Sequence, residues 1–314
     1  MYHPYLRGKQ FELITIRESA ALLAAANFVP IVEPVKESLS GLERALDAVC
    51  EAKGQAIVVI NPHYGDHTSG GEDISLLLAE QFKGKDGIAV GVFLSEHVTA
   101  ARATAYIRQH NEHRIALIHA GFTDARQLAE LLGDEEKQIC HVFFEENCGR
   151  LYRRHFRDGK RVLLRDGFQR RLNREYPPVE FFSDLHVTFV DEGMSGFGDF
   201  LIVGNGYSET GGPAYAVAIH LTFIDDDKDD AMYVHHFVSK RQDTPTDPAG
   251  KFAEALDAMM AELNRPNTKI FETEAVAEFR DLSARGHFPG LGYIKKLSME
   301  HHIETLAKYF EAGD

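Results

Sequence analysis

Short runs of apolar, often β-branched residues alternate with longer amphipathic stretches through the first two-thirds of the chain. The short runs predict strands at residues 2–6, 29–35, 56–61, 88–93, 114–119, 139–144, 161–164 and 186–190. Between them, stretches such as FELITIRESAALLAAA, LSGLERALDAVCEA and TDARQLAELLGD carry apolar residues three and four apart, the spacing of one helix face. Ser40 and Thr123 stand where helix N-caps are expected. Unbroken runs such as AIVVI and IAVGVF suit strands covered on both faces, as a parallel sheet requires. Regular β–α alternation builds either an open doubly wound sheet or a closed barrel. Eight units in the length a barrel needs, with no GxGxxG after the first strand and no Walker motif, favour an α/β chain of the (β/α)8 TIM-barrel type.

The pattern changes after residue 190. Residues 193–241 are rich in glycine and aromatics, with β-type runs at 200–203, 214–224 and 231–238 and an acidic hairpin loop at 225–230. This predicts a small antiparallel β insert after strand eight. Helical periodicity resumes at 249–263, expected as the eighth barrel helix, and continues through C-terminal helices within 273–314. No Ser/Pro-rich linker or internal repeat interrupts the chain, so one barrel domain over 1–314 is expected.

Composition narrows the function classes. A hydrophobic content of 44% with 26% charged residues is ordinary for a soluble globular protein. A net charge of −14 disfavours general attraction to a phosphate backbone. The only strongly basic stretch spans 150–174, where Arg150, Arg153, Arg154, Arg170, Arg171 and Arg174 would meet a nucleic acid or acidic partner if one docks, or else form a solvated face. Cys50, Cys140 and Cys148 are odd in number and form no CxxC pair, which reads as free thiols in a reducing compartment. The opening MYHPYLRGKQFE is polar where a signal peptide needs an apolar run, and no stretch reaches transmembrane length. A cytoplasmic protein with no membrane partner is expected.

The opening Tyr2-His3-Pro4-Tyr5-Leu6-Arg7-Gly8-Lys9-Gln10-Phe11-Glu12, followed by Val29-Pro30-Ile31-Val32-Glu33-Pro34, resembles an uncharacterised group of bacterial hypothetical proteins, the beta protein family. Arg165-Asp166-Gly167-Phe168, Gly196-Phe197-Gly198-Asp199 and Gly211-Gly212-Pro213-Ala214 are similar to a subgroup of it. The resemblance spans most of the chain. It implies a barrel-like fold and an association with mobile-element or phage-defence gene neighbourhoods, and it implies no reaction.

Function is therefore read from the residues. Barrels of this type place their chemistry where strands end and βα loops begin. The predicted strand ends carry Arg7, Lys9, Glu33, Lys36, Asn61, His63, His119, Glu145, Asp166, Asp191 and Arg165. Glu33, Asn61 and Asp191, with Glu145 and Asp166, are oxygen donors suited to Mg2+ or Mn2+, which would activate water or polarise a phosphoryl group. The same carboxylates can equally pair with Arg7, Lys9, Lys36 and Arg165 as salt bridges. The HxH and HExxH signatures of zinc barrels are absent.

The basic set, Arg7, Lys9, Lys36 and Arg165, suits a small anionic substrate, and GNGYSETGG at 204–212 suits either a phosphate nest or a turn between strands. His119 is the acid–base candidate, beside Glu145 and Asp166. His220 reads as a sheet-face residue, and His235 and His236 point to opposite faces of one strand. Two readings of function follow. One is an enzyme hydrolysing a small phosphoester with metal assistance and without a nucleotide cofactor. The other is a non-catalytic binding or sensing barrel that meets a partner protein through the insert, in phage defence.

Overall fold

The computed structural model describes residues 1–209, 212 and 214–313. The apolar runs form β1 (Tyr5–Leu6), β2 (Ile31–Val32), β3 (Ala56–Val59), β4 (Ile88–Leu94), β5 (Arg114–His119), β6 (Cys140–Phe144) and β7 (Lys160–Leu164). The next strand, β8 (Val179–Ser183), belongs to another sheet, and the eighth barrel strand is β9 (Gly196–Gly198). Neighbours pair in parallel in the order β1 to β7 and then β9. The ring closes through backbone bonds from His3 N–H to the Phe197 carbonyl (2.8 Å) and from Tyr5 N–H to the Asp199 carbonyl (2.9 Å), with a parallel bridge between Tyr2 and Phe197. The chain is a (β/α)8 barrel.

Helices α1 (Gln10–Glu18) and α2 (Ala20–Ala25) follow β1, and α3 (Ser40–Glu51), α4 (Glu72–Gln81), α5 (Ala100–Gln109) and α6 (Ala125–Leu132) follow β2 to β5. After β6 the connection holds a single turn, α7 (Arg150–Arg153), and a second short helix, α8 (Leu185–Thr188), precedes β9. Ser40 is already the first residue of α3, and Asp124 rather than Thr123 precedes α6. Inside the barrel, Tyr5, Ile31, Ile57, Val59, Phe93, Ala116, Ile118, Val142, Phe144, Val162, Leu164 and Phe200 form one buried cluster. Each strand contributes every second residue, so the alternation decides which side chains reach the axis.

The eighth strand corrects the sequence reading. Residues 186–190, predicted as strand eight, form the end of α8 and the turn after it. The true strand is Gly-Phe-Gly, which carries no β-branched signal. A Cβ on Gly198 would overlap the His3 carbonyl and the Leu164 side chain, so β1 and β9 approach only because that residue is glycine.

The structure divides into two compact units, Met1–Arg165 with Thr188–Phe200, and Asp166–Val187 with Leu201–Asp314. In the second, β10 (Ala218–Asp225) and β11 (Ala231–Val238) form an antiparallel hairpin through the acidic turn Asp226–Lys228, and β11 pairs on its other side with β8. The antiparallel sheet thus draws one strand from before strand eight of the barrel, while the run at 200–203 forms no strand. Helix α9 (Pro248–Leu263) starts at Asp247, whose carboxylate accepts from Gly250 N–H at 2.9 Å, and α10 (Glu274–Arg285) and α11 (Leu291–Gly313) follow.

Phe252 and Met259 of α9 pack with Ile219, Leu221 and Phe237 of the sheet and with Phe279 and Leu297. The helix expected to complete the barrel is therefore part of this second core. Its periodicity was legible, but an amphipathic face does not say which sheet it covers. No helix among the described residues is long and apolar enough to cross a membrane.

Replacing Gly198 with alanine should destabilise the protein by about 3 kcal/mol or more, because rigid backbone lies where the methyl would go. Urea unfolding measures this, and a loss under about 1 kcal/mol would show that the seam between β1 and β9 tolerates a side chain.

Candidate functional site at the strand ends

Arg7 enters the mouth because the chain turns sharply after β1. Gly8 adopts φ +59, and a side chain there would press on the Glu33 carbonyl and on Pro34. The buried Glu12 carboxylate then accepts the Arg7 N–H at 2.6 Å and lies 3.5 Å from the Lys9 N–H, tying the loop to the first turn of α1. The Arg7 guanidinium lies 3.5 Å from Glu33 Oε2 and faces the rings of Tyr64 (5.0 Å), Phe200 (5.6 Å) and Tyr5 (5.8 Å).

Glu33 is fully buried, two residues beyond the interior Ile31. Its carboxylate accepts from the Tyr5 hydroxyl (2.9 Å), the His63 N–H (2.7 Å) and the Tyr64 N–H (3.2 Å). Burial, reinforced by the Glu33 charge, raises the Tyr5 phenol well above its ordinary range, so it remains a proton donor. The exposed His63 ring stacks on the interior Phe93 at 5.5 Å and meets Tyr64 edge-on at 4.6 Å. Arg7, Glu33, Tyr5, Tyr64 and His63 thus form one cluster at the C-terminal end of the barrel.

The other sequence-predicted residues are distributed differently. Asn61 is half-buried, and both ends of its amide are engaged by the Phe93 backbone, donating to the carbonyl and accepting from the N–H at 2.8 Å each. Glu145 and Arg165 form a bidentate pair at 2.6 and 2.9 Å, roughly two-thirds shielded from solvent, so the anticipated anion clamp already holds an internal carboxylate. The Asp166 carboxylate staples a loop of the second unit, accepting from Phe168 N–H (3.0 Å) and Asn205 N–H (2.6 Å). The 204–212 segment therefore directs an amide at Asp166, although Thr210 and Gly211 lie outside the described residues. Lys36 is exposed, and Lys9 lies at the half-buried start of α1.

Two assignments are corrected outright. Asp191 lies on the approach to the N-terminal end of β9, opposite the mouth, because strand eight begins at Gly196. It cannot share a metal with Glu33 and Asn61. Among the described residues the only three carboxylates within mutual reach are Asp225, Asp226 and Asp227, in the hairpin loop, where Lys269 binds Asp226 and Asp227.

His119 points away from the axis, since its neighbour Ile118 faces the interior. It is fully buried, with Nδ1 2.7 Å from the Tyr152 hydroxyl and Nε2 3.0 Å from His141 Nδ1, against Phe143 and Phe156. His141 Nε2 is buried with no hydrogen-bond partner among the described residues. A histidine that does sit at the mouth is His63, against Tyr64 and Phe93. Strand position alone could name both, and only the alternation traced back from a known interior residue separates them.

The second unit holds a cluster that register alone reveals. His220 pairs directly with His236 across β10 and β11, and their Nδ1 atoms are 2.7 Å apart. His236 Nε2 is 3.0 Å from Glu180, which Arg171 holds at 2.8 Å. If Glu180 accepts from His236 Nε2–H, His220 must donate from Nδ1 and present an unprotonated Nε2. His236 finds its partner on the neighbouring strand and not in His235. Part of the basic stretch 150–174 is internally engaged: Arg150 and Arg153 each meet Glu192 at 3.1 Å, and Arg170 donates to the Gly206 carbonyl at 2.7 Å, while Arg154 and Arg174 are exposed.

No protein-family model matches the chain, and no curated protein matches it. Among solved structures it is similar to a noncanonic maltogenic alpha-amylase, AmyB, from Thermotoga neapolitana. The likeness has 9% identity and a TM-score of 0.39, and covers 65% of this chain and 66% of that one, just under two thirds. No activity passes to this chain from it.

Burial pulls the His141 imidazole down to about 3, with Arg161 adding to the effect, and lowers His119 well below its ordinary value. A free histidine titrates near about 6.5, so the unfolded chain binds more protons between about 6.5 and 3. Stability is therefore full above that window and falls as pH drops through it. A His141→Phe variant should lose up to about 2 kcal/mol less than wild type between pH 7 and pH 5, read by urea unfolding at both values. Equal losses would mean that His141 is protonated without unfolding.

Proposed function

We propose that the chain is an enzyme acting on a small anionic molecule at the C-terminal end of the barrel. Arg7 binds the anion, Glu33 and the aromatic rings hold Arg7 in place, and His63 transfers the proton. The observation that carries this reading is the buried Arg7–Glu33 pair beneath Tyr5, Tyr64 and Phe200. Removing two charges from water costs several kcal/mol per ion before their attraction repays it, and an apolar layer would close the barrel at least as well. Charge retained at the strand ends, beside an exposed imidazole, fits a site better than a structural brace.

Hydrolysis of a phosphoester is the chemistry this arrangement serves most simply. A guanidinium binds the phosphoryl oxygens and an imidazole relays the proton of water or of the leaving group. Mg2+ or Mn2+ assistance loses its expected donor set, because Asp191 is remote, Asn61 is engaged at both ends, and the Glu33 carboxylate already accepts three hydrogen bonds. A non-catalytic, partner-binding role has one observation in its favour: Val179 and Phe181 of β8 are 40% and 49% exposed.

The test is a panel of small phosphate monoesters and dicarboxylates, scored by thermal shift and by turnover. Wild type should be stabilised by at least one phosphate monoester and hydrolyse it. His63→Gln should retain the shift and lose about 10²-fold or more in kcat, while Arg7→Gln should lose the shift. Arg7→Lys, which keeps charge but loses the fork, should fall between. Stabilisation without turnover of any ester would favour the partner-binding role. A His63→Gln variant as active as wild type would remove the proposed mechanism.

A further inference from the structure

The opposite end of the barrel is also charged. Counting back two residues from the interior Tyr5, Ile57, Ala116, Val142 and Val162 along their strands gives His3, Gln55, Arg114, Cys140 and Lys160. Val29 and Ala89, both in the interior cluster, stand at the corresponding positions before β2 and in β4. In a barrel of this kind each layer is ordinarily filled by branched apolar side chains. Here the N-terminal layer leaves a cavity of about 130 Å³, lined by His3, Gln55, Arg114, Gln138, Cys140 and Lys160 among others. Lys137 also lines it, and among the described residues no carboxylate does.

The lining is rich in hydrogen-bond donors. Arg114 Nη2 donates to Gln55 Oε1 at 3.1 Å, a contact that uses the Gln55 amide oxygen and not its N–H donors. Neither Arg114 nor Lys160 forms an ion pair among the described residues, and the contact recorded for Lys160 Nζ is the Met1 sulfur at 3.3 Å, a weak acceptor. Lys137 alone has an acidic partner, Asp134 at 2.7 Å. On a protein of net charge −14, a concave surface with two unneutralised cations and no acid is a local reversal of sign.

We propose that this cavity binds a free oxyanion of the size of phosphate, separate from the site at the strand ends. Arg114 supplies a two-pronged donor, Lys160 a point charge, and Gln55 with Gln138 the neutral donors that orient the oxygens. The volume admits an ion of that size with a water or two. Lys160 depresses the buried His3 imidazole, burial being the larger cause, and Lys160 and Arg114 both act on the Cys140 thiol, as a positive local potential requires.

Cys140 serves as the reporter. Burial pushes its thiol up to about 11, and the two neighbouring cations work against that shift. An anion that neutralises them removes the opposition and blocks the approach of a thiol reagent. The experiment uses full-length protein with Cys50→Ser, which leaves Cys140 as the half-buried thiol while Cys148 stays buried.

At constant ionic strength, inorganic phosphate at about 10 mM should slow labelling of Cys140 about threefold or more and raise the melting temperature. In an Arg7→Gln background, which removes the mouth as a second anion site, both effects should vanish with Arg114→Gln/Lys160→Gln, whose exposed side chains can be exchanged without touching the core. Both should persist in Arg7→Gln, which separates this cavity from the mouth. An effect that survives the double substitution, or that sodium chloride reproduces at equal ionic strength, overturns the proposal.

Discussion

Closure of the barrel depends on the backbone pairing of β1 with β9, and that pairing depends on Gly196 and Gly198, where a Cβ would meet the Met1 and His3 carbonyls. His3 and Tyr5 bond across to Phe197 and Asp199, at a distance that a side chain on Gly198 would not permit. Once the ring is closed, each strand must send alternate residues to the axis, because a slip of one residue would turn every apolar side chain outward. The positions of the charged residues then follow. Arg7 and Glu33 lie beyond the last apolar layer at the C-terminal end, and Arg114 and Lys160 lie before the first one at the N-terminal end. The same alternation takes His119 out of the mouth and places it between strand and helix among phenylalanines.

The two ends treat charge differently. At the C-terminal end Arg7 has a carboxylate and three aromatic faces, and Glu33 is hydrogen-bonded by a phenol and two amides. That is a pre-organised pair, rigid before any ligand arrives. At the N-terminal end Arg114 and Lys160 are solvated and form no ion pair among the described residues. Such groups gain from a mobile anion, while a bidentate pair already neutralised internally gains less. The Glu145–Arg165 pair illustrates the latter condition: its bidentate geometry is good, and an incoming anion would have to displace Glu145.

In the second unit, an antiparallel sheet of three strands is stabilised by helices that supply Phe252, Met259, Phe279 and Leu297 to its core. Within the sheet, strand register is as consequential as alternation is in the barrel. It sets His220 against His236 and brings Glu180 and Arg171 to the same imidazole. Burial keeps these rings neutral, pulling His236 down to about 3, and a neutral ring next to another neutral ring can share one proton along a 2.7 Å contact.

The sequence by itself determined the barrel class, seven of its eight strands to within a few residues, the acidic hairpin and the C-terminal helices. These are carried by local patterns: apolar runs for strands buried on both faces, and three-and-four spacing for helices. It also named Arg7, Glu33 and His63 as strand-end residues, because a strand's last apolar residue is visible in the chain. The eighth strand stayed hidden because closure requires glycine there, and glycine carries no apolar signal. With that strand misplaced, Asp191 moved to the wrong end, and α9 was attached to the barrel when it covers another sheet. Only the tertiary structure could decide which charged residues meet. A carboxylate reads the same in sequence whether it binds a metal, an arginine or a backbone amide, and its partner is chosen by alternation, register and closure acting across the whole chain.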